Sequence, residues 1–398
     1  GEGGGEGGDE GNVGLVVGLL HQMAFKALIK EASVDSERGA ILNEYRDTKD
    51  ISDRVASRYY RQMFAETALP DRFPIGLEPL IRSFTASDVR RYYDQHYYPA
   101  NMHLFVVGDV EPEDVLRQIE ATFGSEPAGP RAALPGAPPP RGLSDTPPGG
   151  PMSAWPVRGA EIKHSFGEAT EKPFESVSHA QIGEFSLTMT VKEGLEGNCR
   201  ARHLREGMLD TLAGMALGFR TDEVVRKSDD PPFTGVHWNY FNSAREGCVL
   251  NSITVSGEGS RWRDAVREGV REVRRLERHG VTADELELLK QTLLGQYRQE
   301  AEQEGTHTSG DYLEELMECA ETGSSFVSST QCFALAQTML PTLTLESVND
   351  RLRQLYSFAA DGEPHALFVT APAGEGDGWG VSEEEVRRLI REAEDGAD

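Results

Sequence analysis

Glu37 and Glu44, seven residues apart, are the carboxylates whose spacing best suits shared chemistry. On an α-helix, seven steps turn through ~700°, only ~20° short of two full turns, so both acids share a face. Stacked beside a cation, one carboxylate can serve as ligand while the other orients it from behind. The same spacing also fits a solvated helix face shared with Arg38 and Arg46. Spacing alone leaves both readings open. A hydrolytic zinc needs three protein ligands and an open position for water, whose pKa the ion lowers to about 7.

The ten histidines are His21, His96, His103, His164, His179, His203, His237, His279, His307 and His365. None opens an HxxEH or HExxH motif. His203 comes nearest, in HLREG, but the fifth position is Gly207, and it reads as a helix-face or capping residue. His21 reads as structural. Cys199, Cys248, Cys319 and Cys332 form no CxxC pair. They read as buried or reduced thiols of a reducing compartment. There is no GxSxG nucleophile turn and no GxxxxGK[ST] phosphate loop. Phe233, Trp238 and Tyr240 read as sheet-face or core residues rather than a base-stacking platform. Arg226 and Lys227 read as an ordinary basic helix end.

The elements that must position these groups follow from pattern and composition. At 398 residues, with 38% hydrophobic and 27% charged, the chain has room for two domains with cores of their own. The net charge of -26 excludes nucleic acid as partner, since phosphate contacts need clustered Lys and Arg. An anionic membrane surface is excluded on the same ground, and no apolar run reaches the ~18 residues of a membrane span. The opening GEGGGEGGDEG is acidic, unlike a basic, acid-poor targeting segment.

Residues 1–12 are low in complexity and expected to be disordered. Val13 to about Phe25 predicts a buried helix. A second helix is expected from near Asp35, running as far as Phe64. After the LPDRFPIG loop comes a helix capped by Thr85 and Asp88, then a strand at His103–Val107 and a helix from Glu111 to Phe123. Residues 128–156 are Pro-rich and read as an extended linker. The domains are therefore expected at 13–127 and 157–398. In the second, Phe185, Leu187, Met189 and Val191 alternate as a half-buried strand. A helix from about Arg202 to Val225 follows, then a strand pair, Phe233–Tyr240 and Val249–Ser256, joined by NSAREG. Trp262 to Leu276 is an apolar-faced helix stopped by Gly280, and Thr282 with Glu285 caps the next. A late strand at Ala366–Thr370 and a last helix, carrying Val386, Leu389 and Ile390, close the chain. The fold class is α+β, with antiparallel or mixed sheet and helices packed to one face.

Four stretches resemble the pitrilysin/insulinase family of zinc metallopeptidases: VDSERGAILNE (34–44), RFPIGLEPLIRSFTASDVRRYYDQHYYPANMHLFVVGDV (72–110), DDPPFTGVHWNYFNSAREGCVLNSITVSGE (229–258) and VREVRRLERHGVTADEL (270–286). Within the family, PPFTGV and SAREGC are similar to the branch that processes plastid presequences. The resemblance implies two related metallopeptidase-type domains, the first truncated. It also implies a zinc site built from an HxxEH helix and a downstream Glu. By the same resemblance Glu44 matches that third ligand and Glu37 an auxiliary acid. The HxxEH part is absent from this sequence, so the chain alone is expected to be inactive and to bind no zinc, whereas a complete family member holds the ion. An uncovered apolar surface is expected around Val13 to Leu20. The implied function is metalloendopeptidase cleavage of presequences in the chloroplast stroma. Implied partners are extended presequence-like peptides, together with the missing portion of the protein or an active family subunit. The alternative is a non-catalytic family member acting as partner subunit or peptide-binding scaffold.

Overall fold

The structure, a computed structural model, describes residues 9–47, 50–129, 164–166, 170–195, 201–243, 245–322, 324–360, 364–373 and 380–395. In chain order it runs α1 (Asp9–Phe25), α2 (Glu31–Asp47), α3 (Ile51–Met63), α4 (Glu78–Ser83), α5 (Ala86–His96) and α6 (Pro112–Thr122). There follow β1 (Phe174–His179), β2 (Phe185–Gly194), α7 (Ala201–Lys227), β3 (Gly235–Ser243), β4 (Cys248–Gly257), α8 (Trp262–His279) and α9 (Ala283–Gln303). The chain closes with α10 (Ser309–Thr322), α11 (Ser329–Met339), α12 (Leu345–Ala360), β5 (Ala366–Pro372) and α13 (Glu383–Asp395). No helix among the described residues is long and apolar enough to cross a membrane. The Gly-rich start and the Pro-rich segment fall largely outside the described residues.

Contacts gather the chain into two units: Gly1–Thr48 with Phe73–Glu161 and His307–Phe326, and Lys49–Arg72 with Ile162–Thr306 and Val327–Asp398. The first unit is helical. Thr85 and Asp88 form the expected reciprocal capping box of α5, which supplies hydrogen bonds to otherwise orphaned amides. Tyr93 on α5 donates its hydroxyl to the Met23 carbonyl at 3.1 Å, and Arg90 donates to the Ala27 carbonyl at 2.6 Å. His21, on α1, stacks edge-on with Phe123 and hydrogen-bonds Glu126 at 2.9 Å, which makes it the structural residue expected. The strand expected at His103–Val107 does not form, although its apolar, β-branched text predicts one. A strand exists only with a hydrogen-bonded neighbour, and this stretch has none among the described residues. Helix α1 is not the buried helix its apolar text predicts: Leu15, Val16, Leu19, Leu20 and Met23 are exposed, which matches the uncovered apolar surface the resemblance implies around Val13 to Leu20.

The second unit is built on one mixed sheet in the order β1-β5-β2-β4-β3. β1 pairs with β5 in parallel, and the other neighbours run antiparallel. Alternation sorts its side chains. Phe185, Leu187, Met189 and Val191 of β2, with Ile253 and Val255 of β4, face a core closed by the helices. The opposite face carries hydroxyls, Ser186 bonding Thr370 at 2.8 Å and Thr188 bonding Thr254 at 2.9 Å. Helix α8 lays Val266, Val270 and Val273 on the core side, the 3.6-residue period the sequence shows. Gly280 ends α8 at φ 65°, where a Cβ would lie 2.4 Å from Asn349. Asn349 in turn accepts from the Val281 amide at 2.8 Å.

The single helix expected from Asp35 to Phe64 is two helices. α2 ends at Asp47, and Asp50 caps α3 by accepting from the Asp53 amide at 2.9 Å. The break matters, because α3 belongs to the second unit although it precedes the Pro-rich segment. Gln62 donates to the Lys172 carbonyl at 2.8 Å and the Leu367 carbonyl at 3.0 Å. Tyr59 bonds Thr190 at 3.1 Å. Met63 and Phe64 pack with Cys248, Leu250 and Ala366 on the second face of the sheet.

Candidate metal centre

Helix α2 carries both candidate carboxylates without interruption, so Glu37 and Glu44 share a helix face as their spacing demands. Both are exposed. The helix is fixed from another side. Arg38, ~100° round the helix from Glu37, donates to the carbonyl of Phe84 at 2.7 Å and to that of Ile81. Its guanidinium also lies 4.6 Å from the Phe84 ring centre. These carbonyls are the unsatisfied C-terminal groups of α4, which a planar cation with several donors is well suited to bind. Val34, also on α2, is buried.

Among the described residues no three His, Cys, Asp or Glu side chains converge in a way that could hold a metal ion. Glu44 on its own would supply one of the three protein ligands that a hydrolytic zinc needs. Three of the imidazoles have other partners. His164 bonds the Glu246 carbonyl at 2.6 Å, His365 accepts from the Lys192 amide at 3.1 Å, and Arg202 donates to His203 at 3.0 Å.

One polar cluster has no local signal in the sequence. Lys192, only 3% exposed on β2, donates to the Met63 carbonyl at 2.9 Å and to Glu66. Burial pushes the Glu66 carboxyl up, but the Lys192 hydrogen bond and charge outweigh it, leaving the group below its ordinary value. Burial lowers His164 and His365 and pushes the Cys248 thiol up to about 11. A thiol held protonated in this way is no nucleophile. Cys248, Cys319 and Cys332 form no disulfide.

The family model described as "Peptidase M16 inactive domain" matches residues 83–162. The chain is 30% identical over 385 residues to the stromal processing peptidase, chloroplastic, of Oryza sativa subsp. japonica, covering 89% of this chain and 31% of that protein. It is 22% identical over 359 residues to the probable zinc protease PqqL of Escherichia coli, covering 86% of this chain and 34% of the relative. The chain thus spans about a third of the length of these curated relatives. The first half of the periplasmic protease PqqL from Escherichia coli superposes with a TM-score of 0.76 at 18% identity, over 96% of this chain and 75% of that one. The chain belongs to the M16, or pitrilysin/insulinase, peptidase family. The relatives it matches are zinc proteases, and the α+β fold expected from the sequence is the fold of M16 domains.

Proposed function

We propose that the chain is part of a zinc metalloendopeptidase that cleaves presequences. In this reading α2 contributes Glu44 as third zinc ligand and Glu37 as auxiliary acid. The two histidines come from polypeptide outside these 398 residues, either more of the same protein or a partner subunit. The supporting observation is the exposed carboxylate pair on one face of an unbroken helix whose other side is anchored through Arg38. The extended similarity to stromal processing peptidases, which are named chloroplastic, supports presequence-like substrates and a plastid location.

Zinc content is the test. The chain alone should hold no stoichiometric zinc. Combined with a polypeptide bearing HxxEH, it should hold one ion and cleave a presequence peptide, and Glu44→Gln should lose both. Stoichiometric zinc on the chain alone, or full zinc affinity in assembled Glu44→Gln, overturns the assignment. A second reading, a non-catalytic partner or peptide-binding scaffold, is favoured by the match to a family description that says "inactive domain". It expects binding of basic peptides, weakening as salt rises, with no cleavage under any combination.

A further inference from the structure

A cavity of about 620 Å³ opens between the first turns of α7 and α12 in the second unit. The two helices are locked side by side next to it. Arg351 grips Asp210 through Nε and, at 3.1 Å, through Nη2, and the Tyr356 hydroxyl donates to the Ala213 carbonyl at 3.0 Å. On the α7 wall stand Arg202 and Arg205, three residues apart and so neighbours on the helix surface; like charges at that spacing work against a helix. Arginines of α8 meet carboxylates instead, Arg271 taking Glu268 and Arg275 taking Glu272 at 2.7 Å. Arg205 is half-buried and has no hydrogen-bond or ion-pair partner among the described residues. Arg202 donates its Nε to the His203 ring at 3.0 Å and, like Arg205, makes no ion pair with Glu206 on the same wall. A chain with 66 acids to 40 bases thus keeps two adjacent arginines without a carboxylate. The α12 wall offers a hydroxyl, an acid and an amide, from Ser347, Asp350 and Gln354.

We propose that this cavity captures a short peptide by its C-terminal carboxylate, which Arg205 and Arg202 receive, while the α12 wall takes main-chain amides and the free ammonium. A guanidinium presents parallel N–H donors that match the two oxygens of a carboxylate. Capture of a chain's terminal carboxylate is a recurring mode of peptide recognition. A bare inorganic anion fits less well: it would fill little of the volume and would face Asp350 across it. A ligand with a carboxylate at one end and an ammonium at the other answers both walls. The peptide class rests on reading the chain as part of a peptidase, whose cleavage yields such ends, but the binding itself needs no zinc.

The whole 398-residue chain is titrated calorimetrically, in chelator, with the peptide Ala-Ser-Ala-Ala, with its C-terminal amide and with inorganic phosphate. The expected result is saturable one-to-one binding of the free acid. The amide should bind about tenfold more weakly, the scale of one hydrogen-bonded charged contact, and phosphate more weakly still. Arg205→Gln should weaken the free acid about tenfold and leave the amide unchanged. Arg205→Lys, which keeps the charge but loses the fork, should fall between. Without ligand, Arg205→Gln should melt no lower than the parent, because it loses a like-charged neighbour and no partner. Equal affinity for acid and amide, unchanged affinity in Arg205→Gln, tighter binding of phosphate than of peptide, or no binding overturns the proposal. A lower melting temperature of unliganded Arg205→Gln also overturns it, since Arg205 would then be a structural residue. Because cleavage is never measured, failure here leaves the zinc assignment standing, and failure of that assignment leaves this result intact.

Discussion

Helices α1 and α7 are written in similar apolar text, VGLVVGLL in one and MLDTLAGMAL in the other, yet they end in different surroundings. In the second unit Met208, Leu212 and Leu217 of α7 are fully buried against the sheet. In the first unit Leu19 of α1 stays 53% exposed and Met23 69%. A helix apolar around its whole circumference is normally a buried helix. What α7 has and α1 lacks is a paired sheet. The first unit's own strand-like stretch at His103–Val107 has no ladder to join among the described residues. Apolar sequence fixes the demand for burial, while the neighbouring elements decide whether it is met.

The largest effect should come from the polar half of this contrast. Glu66→Ala leaves Lys192 buried with the Met63 carbonyl as its remaining strong partner, and an uncompensated buried charge costs about 3–5 kcal/mol. Urea unfolding followed through tryptophan fluorescence, with Trp238 and Trp262 both in the second unit, should show that loss. A change below about 1 kcal/mol would mean that α3 is not held by this pair. Next in size is Met189→Ala, at a position with no exposure, where lost transfer energy and cavity together cost about 2–5 kcal/mol.

Much of the fold was legible because it rests on local pattern. The alternation in β2, the turn between β3 and β4, the apolar stripe of α8 and the capping boxes at Thr85 and Thr282 are all written within a few residues. What was not legible depends on distant partners. β1 pairs in parallel with β5, almost two hundred positions on, and FESVSH alone alternates too little to announce it. The assignment of α3 to the second unit rests on Gln62, Tyr59 and the Lys192–Glu66 pair, none of which has a sequence neighbour to betray it. The break at Asp50 did have a local sign, a cap three residues before Asp53, hidden by the continuing apolar period on either side. At the candidate centre, helical spacing was enough to put Glu37 and Glu44 on one face. The anchor through Arg38 needs the carbonyls of α4, more than forty residues away.

A smaller effect should appear with pH. His164 and His365 are held below their ordinary value, chiefly by burial, and Glu66 is also lowered. A group whose folded pKa is depressed adds stability above its unfolded pKa and loses it as pH falls toward the folded value. The second unit should therefore weaken first as pH drops below the ordinary histidine value of 6.5 and again below the ordinary Glu value of 4.5. Melting curves across that range test this. His164→Gln should flatten the upper step, and a slope unchanged by that substitution would assign it elsewhere.

The smallest expected effect is the sharpest check on the contrast itself. Leu19→Ser removes a large apolar side chain from α1, and in a closed core that would cost several kcal/mol. Leu19 is already half in water, so the change should stay within about 0.5 kcal/mol, as surface substitutions do. Its visible consequence should be on solubility, since contiguous exposed apolar surface drives association. Sedimentation velocity should show less self-association for Leu19→Ser than for the parent chain. A stability loss comparable to that of Met189→Ala would show α1 to be buried in solution, and the two units would then not differ in the way their exposure implies.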